Sequence, residues 1–410
     1  MFCFSSRAFS VVPILALLIA LAGCDQVQWQ ALRAYLAVNP HLDVADGPHT
    51  YRTESETLRL VPIVDTFEFP WDLAFLGERE ALVTEKPGRL SRVDLVNGSV
   101  TAISGVPEVV FIGQGGLLGV RVDPSFTENQ LVYLAYSIEI APDARTTRVS
   151  RARLEGNRLV DLEVLFTAAP ARAGFNHFGG ALAFDRDGLL YLSVGERQER
   201  DFAQDLGSDL GKIHRIHPDG SIPDDNPFRD DAGAKPTIFS WGHRNPQGLA
   251  LHPESGAMWA AEHGPQGGDE VNVLRPGGNY GWPLISYGEE YGGGRVGVGT
   301  HREGLEQPVH YYAPSIAPSG IAFYTADALP SWRGSLLVAA LRLTHLNRLE
   351  IDGETAVHEE RLFADLWHRV RAVAQSPATG ELFVLTENGT LFRIDAFGES
   401  TEESGASASR

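Results

Sequence analysis

One pattern recurs between residues 58 and 396 and limits what this chain can fold into. A short apolar stretch leads into a turn carrying an acidic residue or proline, and a second apolar stretch follows. It reads "WDLAFLGEREALVTEKPGRLSRVD" from Trp71, "GLLGVRVDPSFTENQLVYLAYS" from Gly116 and "GGALAFDRDGLLYLSVGE" from Gly179. It returns as "QGLALHPESGAMWAAEHG" from Gln247, "SGIAFYTADALPSWRGSLLVAAL" from Ser319 and "RAVAQSPATGELFVLTENGTLFRID" from Arg371. Short apolar runs bounded by Gly and Pro turns signal strands, and no helical period of useful length competes. The segments "LAF", "VRV", "LAF", "LAL" and "IAF" read as inner strands, with "LYLSV" and "LFVLT" as antiparallel partners. "GRLSRVD" and "GTLFRID" add a further, outer strand. Six copies predict an all-β, six-bladed β-propeller of four-stranded antiparallel blades, whose loops ring a central channel. An array of β-sandwiches is the alternative, and the regular turn chemistry argues against it.

Composition agrees. The 43 glycines and 24 prolines suit many strands joined by many turns. A net charge of −19 repels phosphate backbones, which excludes nucleic acid as a natural partner and suits cations. Arg7 is followed by "AFSVVPILALLIALAG" and then Cys24, a run of signal-peptide length and too short for a membrane span. Leu21-Ala22-Gly23-Cys24 resembles a bacterial lipobox, which would make Cys24 the acylated mature N-terminus; ordinary signal cleavage is the alternative. Asp25 then implies a periplasmic protein held by lipid on the outer face of the inner membrane. The only cysteines are Cys3 and Cys24, so the folded domain has no disulfide, thiol nucleophile or thiolate ligand. The expected organisation is a signal peptide over 1–24, a tether over 25–57, the propeller over 58–396 and a disordered tail over 397–410.

Polar clusters fall at strand ends. They are Gln114 in "GQGGLLG", Asn176 and His177 in "NHFGG", and Glu196 in "SVGE". "GHRNPQG" carries Arg244, Asn245 and Gln247; "EHGPQGGDE" spans 262–270; Arg342, Arg369 and Arg371 follow. Corresponding strand ends of a propeller point to one face, so a histidine, a carboxylate and several arginines are expected to meet over the channel. Taken singly, each has a plain reading. His177 alone is a turn residue, Glu196 and Arg244 a solvated pair, and Arg369 with Arg371 a same-side charge ladder. "GQGG" has no following Lys-Ser or Lys-Thr, so it is no phosphate loop, and neither HExxH nor an EF-hand is present.

Together, "NHFGG", "GHRNPQGLALHP", "EHGPQGGDEVN", "GGNYGWP" and "IPDDNPF" resemble the soluble quinoprotein sugar dehydrogenases, in particular their bacterial periplasmic aldose dehydrogenase branch. The likeness runs from Phe69 to Asp395. It implies a six-bladed propeller that oxidises aldoses to lactones with pyrroloquinoline quinone (PQQ) and Ca2+. His177 then matches the base that takes the hydroxyl proton, and Glu196 the acidic group that orients it. Arg244, Asn245 and Gln247 match the cofactor segment, with Arg244 stabilising negative charge on the quinone. Arg369 and Arg371 match the pair that holds the PQQ carboxylates. Arg342 stands where relatives commonly have lysine. Gln114 matches a residue lining the substrate and cofactor pocket, and Tyr291 an aromatic wall beside the substrate.

The resemblance also gives "EHGPQGGDE" a purpose. The carbonyls of Gly264 and Pro265 match ligands of the calcium that touches PQQ, while Glu270 and the Tyr280 carbonyl match a second, structural calcium site. The implied partners are an aldose, a respiratory electron acceptor (quinone or cytochrome) and the membrane through the lipid anchor. Two other classes remain: a calcium-dependent propeller lactonase, and a lipid-anchored binding propeller without catalysis. The arginine set disfavours the first, and retention of the whole polar set disfavours the second.

Overall fold

The computed structural model describes residues 47–364 and 368–397. The signal segment, Cys24 and nearly all of the tail lie outside these residues. Six antiparallel sheets make up the described part. The first four follow chain order, with inner strands Pro70–Phe75, Leu117–Val122, Leu182–Phe184 and Pro246–Leu251. The fifth starts at Pro318–Phe323 and the sixth at Val370–Gln375. This is a six-bladed β-propeller of four-stranded antiparallel blades, with helix among the described residues limited to the single turn Phe126–Asn129 and short 3-10 segments.

The sixth blade corrects the expected tether. Its inner three strands come from the C-terminal end, but its fourth is Thr57–Val64, paired antiparallel with Leu391–Ala396. His49–Arg52 then adds a fifth strand on the outside, where the sequence reading placed a tether. The physical reason is edge pairing: a propeller must join its first and last blades, and an early strand laid on the late blade does so through backbone hydrogen bonds. The run "HTYR" is too short to announce a strand by itself.

Packing explains why each blade forms. The second strands carry buried apolar runs, such as residues 81–83 and 132–136; Leu190–Val194 and Leu336–Ala340 are buried at every position. Their side chains fill the spaces between neighbouring blades. Leu73, Val83 and Val93 meet Phe383 and Leu385 across the closure, while Leu134 and Tyr136 meet Leu82 and Leu90. Each such large side chain contributes about 1.5–3 kcal/mol on burial. The inner strands line a central cavity of about 610 Å³, bounded toward one end by Trp71, Gln247 and Arg371.

Candidate active site

Because successive strands run antiparallel, the loop entering an inner strand and the loop leaving the second strand share one face. Gln114, His177, Arg244, Asn245 and Arg369 precede or begin inner strands, whereas Glu196, Gly264 and Arg342 follow second strands. All therefore belong to one end of the propeller.

His177 is the most constrained of them. Its backbone is left-handed, with φ 56°, a conformation histidine adopts more readily than most residues but still at some cost. Its N–H donates to Gln114 Oε1 at 2.8 Å, and its ring Nδ1 lies 2.6 Å from Glu196 Oε1. Gly195 makes that approach possible: a Cβ there would sit 2.3 Å from the His177 carbonyl oxygen and 2.8 Å from Asn245 Oδ1. Asn245 Oδ1 in turn accepts the N–H of Gly179 at 3.1 Å, tying the next blade to the histidine loop. Burial pushes the imidazole pKa below its ordinary value, more than the hydrogen bond to Glu196 raises it, and Arg244 lowers it further. The ring is thus neutral near pH 7. With its proton on Nδ1 facing the carboxylate, Nε2 keeps a free lone pair for a substrate proton.

Arg244 runs alongside. Its backbone N–H donates to Glu262 Oε2 at 2.7 Å, its Nη1 to the Gly264 carbonyl at 2.7 Å, and its guanidinium lies 5.2 Å from the Trp282 ring centre. Glu262 Oε1 is also 2.8 Å from Nδ1 of buried His243, which stacks on Tyr280. Arg371 is buried over the Trp71 ring and donates to Gln247 Oε1 at 3.0 Å; burial brings its pKa down to about 10, so it stays cationic. Among the described residues, Arg244 Nε, Asn245 Nδ2 and Arg371 Nε are buried donors without an acceptor, and Glu196 Oε2 is a buried acceptor without a donor. Buried polar atoms are normally satisfied. A planar ligand rich in carboxylate and carbonyl oxygens answers three of these four.

Beside them Glu262, Gly264, Glu270, Tyr280 and Trp282 line a small cleft. Asn272 Nδ2 lies 3.3 Å from Glu262 Oε1 and 3.2 Å from Glu270 Oε2, so the two carboxyls are neighbours. Burial, then the charge of Glu262, holds the Glu270 carboxyl well above the usual range. Such a pair is relieved by a proton or a cation. Among the described residues no three His, Cys, Asp or Glu side chains converge on a metal position, so a cation here depends on backbone carbonyls as well.

The profile of the glucose/sorbosone dehydrogenases matches residues 67–393. The chain belongs to the glucose/sorbosone dehydrogenase family. It is 39% identical over 346 residues to the aldose sugar dehydrogenase YliI of Escherichia coli K12, covering 82% of this chain and 93% of that relative. A crystal structure of a glucose dehydrogenase superposes with a TM-score of 0.80 at 42% identity, covering 83% and 99%. The PQQ-bound form of an aldose sugar dehydrogenase from Streptomyces coelicolor does so with a TM-score of 0.68 at 29% identity, covering 86% and 98%.

Within this family member the remaining expected residues are spread more widely. Arg369 precedes its strand, is half exposed and pairs with Glu387; the register slips between Val370 and Ala372, so strand alternation does not relate it to Arg371. Lys86, which no sequence motif marks, lies near both arginines, and its ammonium pKa falls to about 8, chiefly through burial. Arg342 donates its backbone N–H to the Ile316 carbonyl at 2.8 Å, and Tyr291 is 72% exposed on an outer loop. His263 lies within "EHGPQGGDE", where no motif signals its contacts. Its Nε2 reaches the Pro318 carbonyl at 2.8 Å, linking two blades, and burial beside Arg244 lowers its pKa to about 3.

Proposed function

We propose that this chain oxidises aldoses at the anomeric carbon to lactones, with PQQ and Ca2+ bound at the face that carries His177. The observation that carries the reading is the 2.6 Å contact of His177 Nδ1 with Glu196 Oε1, beside Arg244 and its unsatisfied Nε. PQQ, when bound, supplies the two-electron acceptor, and calcium supplies Lewis acidity at it. His177 Nε2 takes the proton of the C1 hydroxyl as the hydride leaves C1, so the alcohol carbon becomes the lactone carbonyl. Glu196 then faces an imidazolium and stabilises it through Nδ1–H. Arg244 and Asn245 offer buried donors where negative charge grows, and water exclusion strengthens them. Arg371, Arg369 and Arg342 are the cations proposed for the cofactor carboxylates, with Gln247 orienting Arg371. Gln114 keeps the histidine backbone in place and borders the sugar, with Tyr291 at the rim. Gly264 and Pro265 are the proposed carbonyl ligands of one calcium, and Glu270 with the Tyr280 carbonyl those of another. Cys24 is the proposed lipid anchor on the periplasmic side, with a respiratory quinone or cytochrome taking the electrons onward.

The test is reconstitution of the purified protein with PQQ, with and without calcium, while a dye acceptor is reduced by glucose and other aldoses. Turnover that needs both additions supports the reading. Absence of both turnover and any PQQ spectral change on binding overturns it.

A further inference from the structure

Arg197 follows Glu196 directly and is only 2% exposed, yet among the described residues no carboxylate lies within ion-pair distance of it. A buried cation without a counter-ion is costly unless its donors are met. Here backbone carbonyls meet them. Nε donates to the Asn176 carbonyl at 2.9 Å, Nη2 to the Gly174 carbonyl at 3.0 Å and Nη1 to the Arg145 carbonyl at 2.7 Å. The guanidinium carbon lies 3.7 Å from the centre of the Phe178 ring. Residues 174, 176 and 178 surround His177 in the chain, so one planar group grips the loop on both sides of the histidine. Arg197 and Gln198 are both left-handed, with φ 59° and 63°, which turns two consecutive side chains toward the same loop: Glu196 to the ring and Arg197 to the backbone beneath it. A lysine also has three donors, but all from one nitrogen, so it reproduces neither the span of the guanidinium fork nor its flat stacking face.

We propose that Arg197 is a positioning residue for the reaction, whose guanidinium fixes the place of His177 through the Gly174 and Asn176 carbonyls and the Phe178 ring. The inference rests on the assignment of His177 as the base. It adds a residue that touches neither substrate nor cofactor. Its cation is also one of the charged groups near the imidazole, together with Glu196 and Arg244; His263, near the same ring, is held neutral by burial.

The test compares wild-type holoenzyme with His177→Ala, Arg197→Lys and Arg197→Met, recording kcat, KM, PQQ affinity, thermal midpoint and the pH dependence of kcat/KM. Both Arg197 variants are expected to lose kcat by roughly 10- to 100-fold through a misplaced base, with PQQ affinity unchanged. The acid limb should move to higher pH in Arg197→Met, which loses a cation beside the imidazole, and stay in place in Arg197→Lys, which keeps it. A titration of the His177 ring in the cofactor-free protein reads the same difference without turnover. If Arg197→Met fails to fold, Arg197→Lys decides the matter through kcat at unchanged PQQ affinity. Wild-type kcat in Arg197→Lys, or loss of kcat only in proportion to lost folded protein, overturns the proposal. A fully active His177→Ala would instead overturn the base assignment itself.

Discussion

The carbonyl oxygen of Gly264 lies 2.7 Å from Nη1 of Arg244, joining the loop proposed for calcium to the arginine proposed for the quinone. A carbonyl has two lone pairs, so one remains for a cation while the other holds the guanidinium. The proposed charge stabilisation and the proposed calcium position would therefore be linked through a single oxygen.

Arg244→Lys keeps the charge but gives up the planar fork and the Trp282 stack. A fall in kcat of roughly 10²-fold is expected, the scale of losing one preorganised donor. Calcium affinity should drop with it, measured by calorimetry on the cofactor-free protein.

Glu196→Gln removes the carboxylate that faces His177 Nδ1. We expect kcat to fall by about 10²- to 10⁴-fold, the range of a general base deprived of its partner. The sign of the pH effect follows from the same contact. Burial already holds the His177 pKa below its ordinary value, so wild-type activity should persist into mildly acidic solution and be lost only as pH falls through that lowered value. Glu196 raises the pKa, so the acid limb of the variant should lie lower still. A limb at or above the ordinary imidazole range in the wild type would contradict the buried, neutral base.

Gly195→Ala brings a methyl within 2.3 Å of the His177 carbonyl oxygen. The strain should cost about 1–3 kcal/mol, as overpacking does, and displace the histidine at the same time. Thermal unfolding and turnover should fall together; an alanine variant with native kcat would mean that the loop moves freely.

Chelation should expose the Glu262–Glu270 neighbourhood. The Glu270 carboxyl is raised by burial, so the folded protein binds a proton there that the unfolded chain releases. Without cation, the penalty is absent below the ordinary glutamate range and grows as pH rises through the raised value. The thermal midpoint of chelated protein should thus decline with rising pH, and calcium should abolish the decline. Glu270→Gln should remove both effects.

The propeller was legible because its evidence is local and repeated. "LAF", "VRV" and "LAL" each report a buried strand, and six copies with similar turns leave few other closures. The closing strand was not, since the pairing of Thr57–Val64 with Leu391–Ala396 spans more than three hundred residues of sequence and nothing in "HTYR" records its partner. In the proposed site, long motifs single out His177, Arg244 and Asn245. They say nothing of Arg197, a common residue whose meaning lies wholly in three carbonyls, two from the His177 loop and one from the strand Ala144–Glu155.

Sequence alone determined the fold class, the blade architecture and the inventory of polar groups at strand ends, because period, turn chemistry and motif order are written along the chain. Tertiary structure decided which of those groups act together: that Glu196 reaches His177, that Arg371 is buried while Arg369 is half exposed, and that Arg244 grips Gly264. The reason is physical. Protonation states, hydrogen-bond partners and steric limits depend on neighbours brought close by folding, and separation along the chain carries almost no information about them.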